Sequence, residues 1–506
     1  MYLLRFGRAS FIIYGMKMEL IGHDHRYAAE QMLLMLFPGE RPVYGAADGD
    51  DLLRLSLRRG AKYATASCLL LRDGRAARGT ARFALSAVEK GGDAVRLEQR
   101  IVKLAFYRAA LAWGVPKPVW GCLTGVRPAK FMAGLVYKDG LSPAAAERSL
   151  VRDFGVEPDR AALCADSFVA AEAVRAALAP EDVCLYIGIP YCPTRCAYCS
   201  FVSVDAPKLL QTIPDYLAAL EREMAAAAEA LGQAGKRVIA VYVGGGTPTT
   251  LSAEQLDRLL CRLRELFDLS ACREITVEAG RPDTVTEEKL RVLVRRGVDR
   301  VSVNPQTMSD EVLRTIGRRH TAAEILKAVE MVKTAGGLAF NMDLIAGLPG
   351  DDPESFADTL SQVLALEPDN VTVHTLALKK GSRFLTEGGY ALPDGAAVGE
   401  MLSHARAVLT RSGFRPYYMY RQKFMSGSFE NVGWTRPGRE NLYNVCIMEE
   451  LCPILAMGAG GSTKLTAPGG VVRRLMAPKY PREYMDRIDE LCRSKDEIVR
   501  FFRENR

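Results

Sequence analysis

From residue 183 onward, short apolar and β-branched runs alternate with longer stretches whose apolar positions recur at helical spacing. This is the pattern of βα units around a parallel sheet. Six runs predict strands, at 183–189, 238–243, 274–278, 300–303, 338–345 and 370–376. Helices fill the gaps between them. Ser252 with Gln255, and Thr321 with Glu324, have the spacing of capping boxes. Pro353 follows Asp352 at the first position of a further helix, where its missing N–H does no harm. Six units predict a partial (β/α)6 TIM-like barrel, not a full eight-unit one, spanning residues 179–391.

Outside this region the pattern is weaker. Residues 1–178 mix helix and strand signals and read as an N-terminal α/β extension of unassigned role. Within it, the Gly- and Pro-punctuated stretch Trp120 to Lys130 reads as an ordered loop, with Arg127 and Lys130 as either a surface patch or an anion site. Residues 392–506 read as a mostly helical C-terminal domain that covers the substrate, with a glycine-rich stretch at 458–462.

In parallel α/β architectures, ligands gather at the carboxyl ends of the strands. The informative residues fall there. A cysteine-rich loop follows the first predicted strand, and Gly244–Thr249 (GGGTPT) follows the second. Glu278 ends the third, Asn304 to Gln306 end the fourth, and Asp343 with Gly347 to Pro349 close the fifth. GGGTPT lacks the Gly-Lys-Ser/Thr of a phosphate loop, and Thr249 stands where a dinucleotide fingerprint needs its third Gly. Glycine there lets a ligand approach the main chain closely.

Composition narrows the class. The chain has 506 residues, 48% hydrophobic and 25% charged, as in ordinary globular proteins. No apolar run is long enough to cross a bilayer. Arg5 and Arg8 interrupt the apolar start, so residues 1–15 are given no role, and Met16 or Met18 is an alternative start. The twelve cysteines read as reduced thiols of a cytoplasmic protein. A net charge of +7 suits an anionic small molecule, and nucleic acid is not an expected partner.

The loop Tyr191 to Cys199 carries Cys192, Cys196 and Cys199 as CxxxCxxC. A [4Fe–4S] cube normally takes four thiolates, one per iron. Three leave one iron open, and an open coordination position is where a metal site does chemistry. Zinc is the competing reading, but it wants four ligands, and neither a second CxxC pair nor a His follows before Thr250.

The run LYIGIPYC ending at Cys192, the cysteine motif, GGGTPT, Asn-Pro-Gln and DLIxGLP together resemble the radical S-adenosylmethionine (SAM) superfamily. Within it, residues 183–465 are similar to oxygen-independent coproporphyrinogen III dehydrogenases. GCLTGVRPAK and YRQKF resemble a longer variant with an N-terminal extension. The resemblance implies that Cys192, Cys196 and Cys199 bind a [4Fe–4S] cluster whose open iron takes SAM. It implies cofactor contacts from Tyr186, Tyr198, Gly245, Gly246, Thr247, Glu278, Gln306, Arg318, Asp343 and Ala377, and singles out no catalytic side chain. The activity implied is oxidative decarboxylation of tetrapyrrole propionates to vinyl groups, with an external reductant such as flavodoxin or ferredoxin. Arg421 and Lys423 are candidates to meet the propionates. Two departures bear on this. Phe201 stands where the well-studied dehydrogenases have a Cys, as it does in related haem chaperones. The chaperones' His-Asn-x-x-Tyr-Trp segment reads Arg439-Glu440-Asn441-Leu442-Tyr443-Asn444 here, and no His follows His404. The alternatives are a haem-carrying protein or a radical enzyme acting on another tetrapyrrole or an RNA base.

Overall fold

The computed structural model describes residues 2–6, 9–44, 51–89, 93–125, 127–199, 207–379, 381–422, 428–467 and 470–505. Phe201 and Lys423 lie outside them.

The first 84 residues contribute a six-stranded sheet. Its strands are β1 (Tyr2–Phe6), β2 (Ala9–Ile21), β3 (Glu40–Val43), β4 (Leu52–Arg59), β5 (Tyr63–Arg72) and β6 (Arg75–Ala84), in the order β1-β2-β4-β5-β6 with β3 also on β2. Met16 and Met18, the alternative starts just past the residues given no role, are core residues of β2. The helix Ala94–Trp113 packs on this sheet, and three further helices lead to the barrel.

The six predicted strands are present, β9 with both ends as expected and the others within two residues: β7 (Asp182–Ile189), β8 (Arg237–Gly245), β9 (Glu274–Glu278), β10 (Arg300–Ser302), β11 (Ala339–Ala346) and β12 (Asn370–Thr375). They run parallel in chain order. Both expected capping boxes form, and Asp352 caps the helix that opens at Pro353.

The C-terminal stretch carries helices and, beyond what the alternation suggested, five strands that extend the same sheet at both edges. β13 (Arg415–Arg421) and β14 (Glu430–Thr435) add antiparallel beyond β12. β15 (Ile454–Met457) lies parallel to β7, and β16 (Ser462–Ala467) and β17 (Val471–Met476) follow antiparallel. Among the described residues the result is an open barrel of eleven strands. Among the described residues, no helix is long and apolar enough to cross a membrane.

Buried charge clasps the N-terminal extension to the barrel. Glu430 of β14 accepts from Trp120 Nε1 at 2.7 Å and pairs with Arg160 at 2.8 Å, and both charged groups are almost wholly buried. Arg421 of β13 donates to the carbonyls of Leu123 (2.7 Å) and Ser428 (2.9 Å), and its guanidinium stacks on Trp120. Arg421 is therefore a structural clip and does not face the barrel mouth as a propionate ligand. Arg127 and Lys130 do meet an anion, but it is the chain's own Glu450, with Arg127 at 2.6 Å.

Replacing Glu430 with Gln keeps the bond to Trp120 and leaves Arg160 without its buried partner. The expected outcome is a loss of about 3 kcal/mol in chemical denaturation, with faster proteolytic cleavage between the extension and the barrel.

Candidate functional site

Strand geometry sets the rim. β7, β8, β9, β10, β11 and β12 all end on one face of the barrel, because parallel strands joined by helical crossovers share a direction. The cysteine loop leaves β7 on that face and is stitched to the loop after β8. Gly246 N–H donates to Ile189 O at 2.8 Å, and Thr247 N–H donates to Tyr191 O at 2.7 Å. This stitch explains one glycine. A Cβ on Gly246 would sit 2.5 Å from Tyr191 O, so a side chain would force the two loops apart. It also revises the expectation for GGGTPT. The N–H groups of Gly246 and Thr247 are engaged by the chain, and that of Gly245 reaches Glu278 at 3.3 Å. Gly245 and Gly246 remain half-buried at the rim.

The cysteine loop sits among cations. Cys192 Sγ is 3.4 Å from Thr247 Oγ1. Arg281, three residues past the end of β9, lies 3.7 Å from Cys196 Sγ and is itself held by Asp283 at 3.2 Å. Arg318 donates to Asn304 O at 2.5 Å and to Tyr198 Oη at 3.1 Å. Burial would raise the Cys196 thiol, but the Arg318 and Arg281 guanidiniums outweigh it and hold the pKa below the usual thiol value. That is the environment a ligating thiolate needs.

Polar atoms left without a partner point to a ligand. Gln306 Oε1, Asn304 Oδ1 and Arg318 Nε are buried and make no hydrogen bond among the described residues. Gln306 also has a left-handed backbone (φ +69°), uncommon for a residue with a side chain, fixed by hydrogen bonds to β11 through Asp343 O and the Ile345 N–H. Buried groups are ordinarily paired. Three thiols in one loop, two buried guanidiniums and unpartnered acceptors together fit an anionic cluster with a polar cofactor beside it.

Deeper in the lumen lie the acids and a set of tyrosines. Glu278 accepts from Tyr242 Oη at 2.5 Å. Burial pushes its carboxyl up to about 7. Asp343 sits within β11, three residues below its end, accepting from Asn341 at 2.7 Å with His374 at 3.8 Å. Burial alone would raise it, but the His374 and Asn341 interactions hold its carboxyl below the usual range. Tyr186 and Tyr242 are register neighbours on β7 and β8, and Tyr443 stacks on both, at 6.2 and 4.6 Å between ring centroids. Ala377 lies on the rim two residues past β12.

The structure thus gathers Cys192, Cys196, Tyr198, Gly246, Thr247 and Arg318 into one loop cluster. Glu278, Tyr186 and Asp343 form a second, lower group, and Gln306 bonds to β11 through its backbone. Sequence reasoning missed Arg281, Tyr242 and Tyr443. Tyr242 was legible in principle, as the polar residue facing Tyr186 in an otherwise apolar strand. Arg281 carried no such signal, because one arginine after a strand is ordinary.

Comparison with known proteins agrees with this geometry. The family model described as "Radical SAM superfamily" matches residues 186–363. The oxygen-independent coproporphyrinogen-III oxidase-like protein HemZ of Bacillus subtilis is 34% identical over 495 residues, covering 96% of this chain and 98% of that protein, so the similarity takes in the N-terminal extension. The heme chaperone HemW of Haemophilus influenzae is 31% identical, covering 60% of this chain and 75% of that one. Among solved structures, coproporphyrinogen III oxidase (HemN) of Escherichia coli, a radical SAM enzyme, superposes with a TM-score of 0.51 at 27% identity, covering 64% of this chain and 72% of that one.

Two outcomes follow from the site's electrostatics. Cys196→Ala removes one of three thiolates and should lower iron from four per chain to below one in anaerobically reconstituted protein, measured by iron analysis. Glu278 binds a proton more tightly folded than unfolded, so the stability of the cofactor-free protein falls as pH rises from about 4.5 to 7. Glu278→Gln removes that penalty, which is on the order of 3 kcal/mol. The variant should therefore gain thermal stability over the parent at pH 8 and not at pH 4, read by calorimetry.

Proposed function

The chain belongs to the radical SAM superfamily, in its oxygen-independent coproporphyrinogen III oxidase-like family, and from that membership we propose that it oxidatively decarboxylates propionate side chains of coproporphyrinogen III to vinyl groups. Its cofactors are a [4Fe–4S] cluster and SAM. Bound together, they supply the hydrogen-atom abstraction that leads to loss of CO₂ and one further electron.

The chain's share is binding, orientation and exclusion of water. Cys192, Cys196 and Cys199 hold the cluster. Arg318 and Arg281 balance its negative charge and keep Cys196 ionised. Arg318 also presents an unengaged Nε toward a carboxylate, and Gln306 Oε1 is an acceptor for an amino group. Glu278, once ionised, accepts from ribose hydroxyls or the cofactor's amino group. Tyr186 and Tyr198 close the apolar sides. Arg195, Lys379 and Arg383 give the rim beyond the cysteine loop a positive field suited to propionates.

The observation that carries the enzymatic reading over haem carriage is the C-terminal segment. The stretch Arg439 to Asn444, which stands for the chaperones' His-Asn-x-x-Tyr-Trp segment, contains no His, and its Arg439 lies beside Asp369 at the amino-terminal end of the strands. Tyr443 of the same segment is built into the barrel's tyrosine stack. The second reading, haem carriage, rests on the relatives named heme chaperones.

Anaerobic incubation of cluster-loaded protein with SAM, a flavodoxin-type reductant and coproporphyrinogen III separates the two. Protoporphyrinogen IX together with 5′-deoxyadenosine is the expected product pair. A stoichiometric Soret band on haem titration with no vinyl product would overturn the proposal in favour of carriage. Arg318→Met should retain four irons and weaken SAM binding by about 10-fold or more, in line with the loss of a charge-assisted contact.

A further inference from the structure

Three cysteines that are remote in sequence converge low in the barrel, away from the cluster loop. Cys184 is the third residue of β7, Cys446 lies in the helix Leu442–Glu449, and Cys452 precedes β15. Their three Sγ atoms all lie within 4.8 Å of one another, and those of Cys184 and Cys452 are 3.6 Å apart. All three are buried, walled by Ile239, Tyr443 and Ile454. We propose that this trio is a second metal site, which takes one soft monovalent cation, Cu⁺, in three-coordinate sulfur geometry.

Distance supports a shared ion. Two thiolates bound to one three-coordinate metal at about 2.3 Å stand roughly 4 Å apart, near the 3.6 Å separation here, whereas a disulfide would need about 2.0 Å. Ligand type selects the metal, since an all-thiolate set favours soft ions. Ligand number then argues against zinc, whose structural sites almost always have four ligands. Among the described residues, no fourth His, Cys, Asp or Glu joins the trio. Asp182, two residues before Cys184, is committed to Arg237 and to the Ala179 N–H.

The site is also pre-organised. Cys184 N–H donates to Pro453 O at 3.0 Å, Leu451 N–H donates to Cys446 O at 3.1 Å, and Ile454 pairs in register with Cys184. These bonds fix all three Cα positions without any contribution from the sulfurs. Arg237 and Arg273, both drawn to Asp182, offset the negative charge that a thiolate-bound Cu⁺ retains. Binding releases thiol protons to solvent and changes no oxidation state. The site is distinct from the catalytic cluster. Ile189 lies five positions along β7 from Cys184, about 16 Å at the strand rise, and the cysteine loop begins beyond that.

The test is anaerobic titration of the cluster-loaded protein with Cu⁺ against bathocuproine disulfonate, with copper and iron both counted per chain after gel filtration. The expected result is one copper per chain with four irons retained, and X-ray absorption showing three sulfur neighbours. Cys184→Ser, Cys446→Ser and Cys452→Ser should each weaken copper retention by at least about 100-fold while keeping all four irons. The retained iron shows that the variants fold. Copper bound only as iron is lost, copper uptake undiminished in the three variants, or zinc held in preference to copper would each overturn the proposal.

Discussion

Electrostatic balance around one loop organises the barrel mouth. Thiolates that carry a cluster bring negative charge into a half-buried place, and Arg281 and Arg318 bring the opposite charge to meet it. A buried guanidinium without a partner is costly, so each must be held even when the cluster is absent. Asp283 holds Arg281, and Asn304 O and Tyr198 hold Arg318. Those anchors in turn require the chain after β10 to turn sharply, which it does at Gln306 with its left-handed backbone. The stitch between Gly246 and Ile189 sets the other side of the loop. Strain and close packing at the rim are thus consequences of placing charge there.

Below that charged collar the lumen changes character. Tyr186, Tyr242 and Tyr443 form an aromatic stack against Glu278, and Asp343 faces His374, which in turn meets Tyr420 at 3.3 Å. The gradient from cations at the mouth to carboxyls and phenols beneath suits a ligand with an anionic group outward and hydroxyl or amino groups inward.

The six central strands were legible because each carries apolar or β-branched residues between helical stretches and most of their residues are buried, and the crossover helices announced themselves through Ser252, Thr321 and Asp352. The cysteine loop was legible from spacing alone. What escaped was whatever depends on partners distant in sequence. β13, β16 and β17 carry Arg, Lys and Pro among their apolar positions because they lie toward the sheet's edges, so they resemble loops. Arg421 reads as a surface charge until Trp120 and Leu123, some 300 residues earlier, are seen beside it. Cys184, Cys446 and Cys452 each pass for a small core residue, and only the fold brings their sulfurs together.

Glu430, Arg421 and Glu450 all belong to the barrel's C-terminal flank, yet each takes partners from the first 160 residues. The flank is built around its neighbour. Deleting the leading segment would empty the place of the Trp120 indole and strip Glu430 of its Trp120 and Arg160 partners, while Arg421 would keep the Ser428 carbonyl and Glu450 would keep Lys464.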